Sequence, residues 1–160
     1  MGETCDEAQY VSLTKDLKKE GYIVVSINPD WKKPLTKQLV KIERDSIIFG
    51  FSMGAVLAYL IAKKYPCKKA IMASISPIHT FIYKDFKEFL NERMTPEESG
   101  AVTNDILAIN VDLENLKTPH VTLMGEKEEM AKGEKSPDIF VAGATHEIGE
   151  AYRLAILKQV

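Results

Sequence analysis

Five short and almost continuously apolar runs most constrain how this 160-residue chain can fold. A strand that faces water on one side alternates polar and apolar residues, and these runs show little such alternation. Each run therefore predicts a strand covered on both faces, as strands of a parallel sheet are. The runs are "YIVVSI" (22–27), "SIIFGF" (46–51), "AIMASI" (70–75), "HVTLMG" (120–125) and "DIFVAG" (138–143).

Helical patterns lie between these runs and near both ends of the chain. Residues 6–21 carry apolar residues at helical spacing and end at Gly21, which is typical of a helix stop. Alternating buried strands and helices are typical of an α/β fold. We predict about five mainly parallel strands flanked by helices, in a single domain over residues 1–160. Further helices are predicted over residues 34–44, 54–65 and 147–158.

Residues 76–118 break this rhythm, because the segment is too long for one simple crossover. Two helical patterns lie within it, and the second begins at Thr95 as a capping residue with Pro96 in the first turn. We interpret the segment as a small helical cap inserted after the third strand.

Composition and charge narrow the classes of function. Apolar residues make up 45% of the chain and charged residues 28%, and the net charge of −2 is spread without a basic tract, so nucleic acid is an unfavourable partner. No apolar run approaches the roughly 20 residues of a membrane span, and the first ten residues lack a secretory signal, so we expect a cytoplasmic location and no membrane partner. Cys5 and Cys67 form no framework or metal cluster, and we interpret both as reduced thiols without a role.

Gly50-Phe51-Ser52-Met53-Gly54 places a serine where a predicted strand must turn abruptly into a helix. Such a turn strains its central residue, and glycines on either side remove Cβ atoms that would collide. The same turn exposes the Ser52 hydroxyl at the sheet edge and places the Met53 amide at a helix N-terminus, where it can donate to an oxyanion. The pattern favours a nucleophilic serine, and a purely structural turn stays the alternative.

A nucleophilic serine needs a histidine as base, and the chain has three. His120 begins its predicted strand, so it lies at the edge opposite Ser52. His79 follows the third strand on the correct edge but precedes any suitable acid. His146 follows the last strand on the correct edge and is the favoured base.

An acid that orients the histidine should leave the end of the fourth predicted strand. "GEKEE" supplies three carboxylates there, Glu126, Glu128 and Glu129, and the spacing alone leaves the choice among them open.

The order of serine, acid and histidine at successive strand ends resembles the α/β-hydrolases, over nearly the whole chain. In that family the acid usually follows a glycine by three residues and is aspartate; Gly125 and Glu128 match the spacing with glutamate. "VAGATH" is similar to the loop that carries the family's histidine. The resemblance implies that Ser52 is the nucleophile, His146 the base and Glu128 the acid.

One family feature has no counterpart in the sequence. The second oxyanion donor of the family comes from a loop before the first helix, often after a His-Gly pair, and here Met1-Gly2 falls at about that position. Gly2 is thus the expected second donor, and a late start of the sequence is a hypothesis. The family strand before that loop would lie between runs 22–27 and 46–51, so these runs must pair directly or leave a gap.

The resemblance implies hydrolysis through an acyl-enzyme, without metal or organic cofactor. An apolar acyl pocket is predicted from Trp31, Phe51, Ile78 and Phe81, with packing in the core or the cap as the alternative for most of them. Such a pocket favours a small-molecule acyl substrate, a carboxylic ester or thioester. The alternatives are a hydrolase-fold binding protein with weak or no turnover, and an acyltransferase with the same three residues. The oligomeric state is unknown from the sequence.

Overall fold

The chain is described by a computed structural model over residues 7–30, 33–75, 91–92, 95–100, 108–128 and 137–160. Four strands in the described residues form one parallel sheet, and they lie side by side in chain order. The sheet confirms the predicted α/β class, with one strand fewer than expected. The strands are β1 (Ile47–Phe51), β2 (Lys69–Ala73), β3 (His120–Gly125) and β4 (Ile139–Val141).

Helices cover both faces of this sheet. They are α1 (Glu7–Lys19), α2 (Met53–Lys64) and α3 (Glu150–Leu157). On one face α2 packs with Ala70 and Met72 of β2, and on the other α1 and α3 pack with Ile71 and Ala73. Because both faces of β2 are covered, its residues 70–73 are all apolar and buried, which confirms the physical reason for the continuous run there.

The end of α1 shows how a glycine stops a helix. Gly21 has a φ of +90°, its N–H donates to Lys18 O at 3.1 Å, and the Tyr22 N–H donates to Leu17 O at 3.0 Å. This pair of bonds is the Schellman arrangement, in which a left-handed residue lets the chain satisfy the last carbonyls. The helix predicted over 6–21 is confirmed.

The strand predicted over residues 22–27 is wrong, because these residues have neither helical nor strand structure. Ile23 is 94% exposed and Val25 is 79% exposed. Apolar, β-branched composition favours a strand, but a strand also requires a neighbour for its backbone groups. None of the described strands lies beside this segment.

Among the described strands, β1 consequently lies at the edge of the sheet. Lys68 N–H donates to Ser46 O, and Ser52 N–H donates to Ala73 O, so alternate residues of this strand bond toward β2. The backbone groups of the residues between them, including Ile47 and Phe49, therefore point to the other edge. Of the two arrangements that the sequence left open, direct pairing of runs 22–27 and 46–51 is not found in the described residues.

The helix predicted over residues 34–44 is also wrong, apart from a single 3-10 turn at Leu35–Lys37. The side chain of Gln38 folds back on the preceding loop instead. Its Nε2 donates to Asp30 O at 2.9 Å and to Lys33 O at 2.7 Å, and its Oε1 accepts from the Asp30 N–H. A side chain that satisfies the loop backbone in this way stabilises a turn rather than a helix.

Part of the predicted cap insertion lies in the described residues. The helical turn over 96–100 begins as predicted, because the Thr95 hydroxyl donates to Glu98 Oε2 at 2.8 Å and the same carboxylate accepts from the Thr95 N–H. The segment that leads into β3 packs on α2, where Thr118 Oγ1 donates to Ala62 O at 3.0 Å. Most of 76–107 lies outside the described residues, so the insertion as a whole stays a prediction.

Two further expectations concern the cysteines and the membrane. Cys67 is a buried free thiol whose pKa is raised by burial, and Cys5 lies outside the described residues. Among the helices that the structure describes, none combines the length and the apolar character needed to cross a bilayer.

Candidate active site

Ser52 occupies the turn between β1 and α2 in a strained conformation. Its φ of 53° and ψ of −122° lie where a residue with a Cβ costs about 1 to 3 kcal/mol. Two backbone hydrogen bonds hold the turn: Ser52 N–H donates to Ala73 O at 2.9 Å, and Ala55 N–H donates to Ser52 O at 3.0 Å. The side chain is half-buried at the carboxyl end of β1.

The two glycines that flank this turn differ in their importance. A Cβ on Gly50 would lie 2.1 Å from Gly54 O and 2.7 Å from Ala55 N, which no backbone can accommodate without moving. A Cβ on Gly54 would meet no atom within 4 Å. The expectation that both glycines prevent a collision is right for Gly50 and wrong for Gly54.

His146 lies in the loop between β4 and α3 and reaches the serine. Its Nε2 is 3.1 Å from Ser52 Oγ, and its Nδ1 is 2.8 Å from Glu128 Oε2. His120 begins β3, so it lies at the opposite end of the strands from Ser52, and its Nδ1 is 3.0 Å from Thr118 O. The third histidine, His79, lies outside the described residues.

Glu128 follows β3 and is only 5% exposed. While Oε2 faces the histidine, Oε1 accepts hydrogen bonds from Ser74 Oγ at 2.6 Å, from Gly125 N–H at 2.9 Å and from the Tyr152 hydroxyl. Every oxygen of this buried carboxylate is therefore hydrogen-bonded.

The two other candidate acids do not make this contact in the described structure. Glu126 is exposed, and its Oε2 accepts from Gly143 N–H at 2.9 Å. Glu129 lies outside the described residues. Of the described candidates, Glu128 is the one beside His146.

The hydrogen bonds decide the charge of this cluster. Burial by itself would raise the pKa of Glu128, but donors from His146, Ser74, Tyr152 and the Gly125 amide outweigh it and lower the pKa below its ordinary value. The pKa of Tyr152 is raised, first by burial and then by the adjacent carboxylate. Glu128 is consequently an anion and Tyr152 a neutral donor at neutral pH.

Gly125 allows the acid and the histidine loop to approach. A Cβ there would lie 2.5 Å from Ala144 O and 2.9 Å from Glu128 Oε1. The same carbonyl accepts from Lys127 N–H at 2.9 Å, which ties the acid's turn to the loop that carries His146. In the sequence this glycine marked only a spacing, whereas in the structure its missing side chain provides the space.

The residues predicted to bind substrate are described only in part. Met53 begins α2, so its N–H has no acceptor within the helix and adjoins the serine. Phe51 contacts the His146 ring at a centroid distance of 5.0 Å and meets the Tyr152 ring edge-on at 5.4 Å. Substrate contacts of Met53 and Phe51 stay predictions, as do those of four residues outside the described ranges: Gly2, Trp31, Ile78 and Phe81.

Two members of the cluster, Ser74 and Tyr152, were missed by sequence reasoning. Ser74 directly follows β2 and is thus a polar residue at the same sheet edge as Ser52, a signal that was available. Tyr152 lies on α3, and its position relative to Glu128 depends on how that helix packs on the sheet, so nothing in the sequence marks it.

The described part of the chain has a further concave surface but no cluster of metal-ligating side chains. It contains no group of three or more histidine, cysteine, aspartate or glutamate side chains that could hold a metal ion. An open cleft of about 500 Å³ lies between α1 and α3, lined among others by Lys15, Asp16 and Arg153. None of its lining residues belongs to the Ser52, His146 and Glu128 set, and Arg153 is ion-paired with Asp16.

Similarity to known proteins is found at the level of the fold. No family model and no curated protein matches the chain. The fold is similar to an α/β hydrolase enzyme from the metagenome of sediments from the lagoon of Mar Chica, Morocco, with a TM-score of 0.51 and 16% identity over 92% of this chain. This chain spans 65% of that enzyme's length.

Two further solved structures match less closely. A thioesterase domain from the curacin biosynthetic pathway has a TM-score of 0.40 and 15% identity, over 79% of this chain and 69% of that domain. A marine microorganism esterase has a TM-score of 0.43 and 14% identity, over 99% of this chain and 77% of the esterase. The parallel sheet, its helices and the match to the Mar Chica enzyme together show that the chain has the fold of the α/β hydrolases.

Proposed function

We propose that this protein is a serine hydrolase that cleaves a small carboxylic ester or thioester through an acyl-enzyme on Ser52. The observation that carries the proposal is the unbroken hydrogen-bonded chain from the Ser52 hydroxyl through His146 to Glu128, with separations of 3.1 and 2.8 Å. A nucleophile, a base and an orienting acid within contact of one another are what activation of a serine requires.

The carboxylate determines which nitrogen of His146 carries the proton. An ionised carboxylate only accepts hydrogen bonds, so Nδ1 is the donor to Glu128 Oε2 and Nε2 is left as an acceptor for the Ser52 hydroxyl. This tautomer has its free lone pair on the nitrogen nearest the nucleophile. Glu128 also stabilises the imidazolium that forms when Nε2 takes a proton.

The reaction follows from this arrangement. Ser52 Oγ bonds to the acyl carbon while its proton moves to His146 Nε2, and the carbonyl oxygen gains the negative charge. The bond to the leaving alcohol or thiol then breaks, and that group takes the proton from Nε2, which leaves the acyl group on Ser52. Water repeats the sequence, giving up a proton to Nε2 and releasing the acid and free serine.

The developing oxyanion needs donors on the side of the turn away from the histidine. The Met53 N–H at the start of α2 is one, because a helix N-terminus carries unpaired amides and favourable partial charge. Gly2 remains the proposed second donor. Loss of one such donor costs about 2.7 to 4 kcal/mol in the transition state, so turnover depends strongly on whether a second amide is present.

A hydrolase-fold binding protein with little turnover is the second candidate. The observation that favours it is the open edge of β1, the strand that ends at Ser52, since no described strand supports the turn from that side. An acyltransferase would use the same three residues with an alcohol or amine in place of water.

A fluorophosphonate probe tests the proposal. We expect covalent labelling of the wild type and of Ser26→Ala, a control at an exposed serine, and no labelling of Ser52→Ala. Absence of labelling in folded wild-type protein would favour the binding protein. Product analysis of a p-nitrophenyl ester reaction with an added alcohol separates hydrolysis from acyl transfer.

A further inference from the structure

Ser74 and Tyr152 form a second layer behind the acid. Besides binding Glu128 Oε1, the two hydroxyls lie 2.8 Å from each other, and both side chains are fully buried, with 0% exposure. Together with the Gly125 amide they occupy one carboxylate oxygen and leave the other to His146. We propose that Ser74 and Tyr152 are positioning residues that hold the Glu128 carboxylate in the orientation that receives His146.

The backbone of Ser74 supports a specific role. Its φ is +56°, a conformation that glycine adopts freely and that a residue with a side chain adopts only at a cost. The strained residue is held by its N–H, which donates to Leu123 O at 2.8 Å, and its hydroxyl points at the carboxylate. A small residue would suffice for packing at this position, and only a hydroxyl supplies the hydrogen bond.

The arrangement also explains why glutamate stands where the family usually has aspartate. Glu128 Oε1 contacts Ser74, which follows β2, and Tyr152 on α3, while Oε2 contacts the loop after β4. Aspartate is shorter by one carbon–carbon bond, about 1.5 Å, so it cannot keep both sets of contacts. The missing side chain of Gly125 provides the space in which the longer acid folds back.

The pH behaviour follows from the groups around the carboxylate. In the described residues the titratable groups that face it are His146 and Tyr152, while β1 presents the Phe51 ring, and Ser74 and Gly125 contribute only neutral donors. Removing a donor destabilises the anion and raises the pKa of Glu128. Glu128 must be ionised to hold the Nδ1 proton of His146, so the acid limb of activity moves upward.

The inference rests on the proposed function, because the orientation of Glu128 affects turnover only if His146 is the base. Four variants test it: Ser74→Ala, Tyr152→Phe, their double variant, and Tyr59→Phe as a control at another fully buried tyrosine whose hydroxyl accepts from Asp112 N–H. We expect each single site variant to lower kcat about 10- to 100-fold with KM nearly unchanged. The fold-loss of kcat in the double variant should be smaller than the product of the two single fold-losses, because both hydroxyls act on the same carboxylate. The control should keep wild-type activity.

Three results separate positioning from a structural role. The acid limb of the kcat/KM profile should move upward in the site variants and not in Tyr59→Phe. Ser74→Gly removes the hydroxyl but relieves the backbone strain, so it should be more stable than Ser74→Ala and equally impaired. Glu128→Asp should lose activity, and adding Ser74→Ala to it should have little further effect.

An NMR measurement tests the positioning role without requiring turnover, and so independently of the proposed function. In wild-type protein labelled with ¹⁵N-histidine, the His146 Nδ1 proton should give a downfield resonance that is protected from exchange with water. In the double variant this resonance should broaden or disappear. Unchanged resonance, kcat and acid limb in the folded double variant would overturn the positioning role. If the resonance changes as expected in the double variant but the fluorophosphonate probe does not label Ser52, the proposed function is overturned and the positioning role is not.

Discussion

The environments of Glu128 and of segment 22–27 both differ from what their residue types predict, but in opposite directions. Glu128 is a charged residue at 5% exposure, and four donors satisfy its carboxylate. Ile23 is an apolar residue at 94% exposure, in a segment without a described partner strand. A residue's own preference therefore does not decide its environment: a buried charge persists where partners converge on it, and an apolar strand pattern fails where a neighbouring strand is lacking.

Ser52 lies between the well-connected Glu128 and His146 and the edge of β1 that no described strand covers. Its N–H is bonded to Ala73 on the β2 side, and its hydroxyl faces His146, while the other edge of β1 has no described strand. In the described part of the chain, Glu128 and His146 are thus held by several hydrogen bonds, whereas the outer edge of β1 lacks a strand partner.

The largest effect is expected at the strained serine itself. Ser52→Gly should lower kcat by about 10⁴- to 10⁶-fold, because nucleophile loss abolishes the acyl route, and should raise the free energy of unfolding by about 1 kcal/mol, because glycine accepts a φ of 53°. Steady-state kinetics and urea unfolding measure the two. Loss of stability in this variant would show that the turn is not strained.

A matched pair of glycine variants tests how rigidly the turn is built. Gly50→Ala should destabilise the fold by about 3 kcal/mol, because its Cβ overlaps the backbone of Gly54. Gly54→Ala should be neutral or stabilising by up to about 1 kcal/mol, because it replaces glycine in a helix with open space around it. Equal urea midpoints for the two variants would contradict this account.

The lowered pKa of Glu128 predicts a pH dependence of stability. Its folded pKa lies below the ordinary value of 4.5, so the folded state binds the carboxylate's proton less readily than the unfolded state does. The resulting stabilisation is complete above pH 4.5 and is lost as the pH falls through the folded value. Urea unfolding from pH 6 to pH 3 should show a steeper decline for wild type than for Glu128→Gln, and parallel curves would contradict the prediction.

The smallest effect is expected in the exposed segment. Ile23→Ser and Val25→Ser should each change the free energy of unfolding by less than about 0.5 kcal/mol, because neither side chain is buried. Ile71→Ala, at a fully buried position in β2, is the matched apolar control and should cost about 2 to 5 kcal/mol. A cost at Val25 near that of Ile71 would mean that the segment is packed like a strand, and would remove the contrast between the two regions.

The sequence predicted correctly those elements that pack against regular helices and strands. The runs that became β1, β2 and β3 are readable because helices cover both faces of the sheet there, and the position of Ser52 follows from the strand and helix that flank it. β4 is a strand as predicted but is not covered on both faces, since Phe140 is 55% exposed. His146 could be chosen over His120 for a similar reason, since in a parallel sheet the start and the end of a strand lie at opposite edges.

What could not be read depends on contacts between distant parts of the chain. Residues 22–27 have the composition of a strand, but pairing depends on what lies beside them. Gln38 turns a predicted helix into a loop through hydrogen bonds to Asp30 and Lys33. Tyr152 joins Glu128 only because α3 packs on the face of the sheet, so no local pattern marks it.

Rapid-quench mass spectrometry of the protein with a p-nitrophenyl ester tests whether an acyl-enzyme forms on Ser52. We expect a transient mass increase equal to the acyl group, located on the peptide that contains Ser52 and absent in Ser52→Ala. Hydrolysis of the ester that depends on His146 but forms no adduct on Ser52 would contradict this expectation, as would an adduct on any other residue.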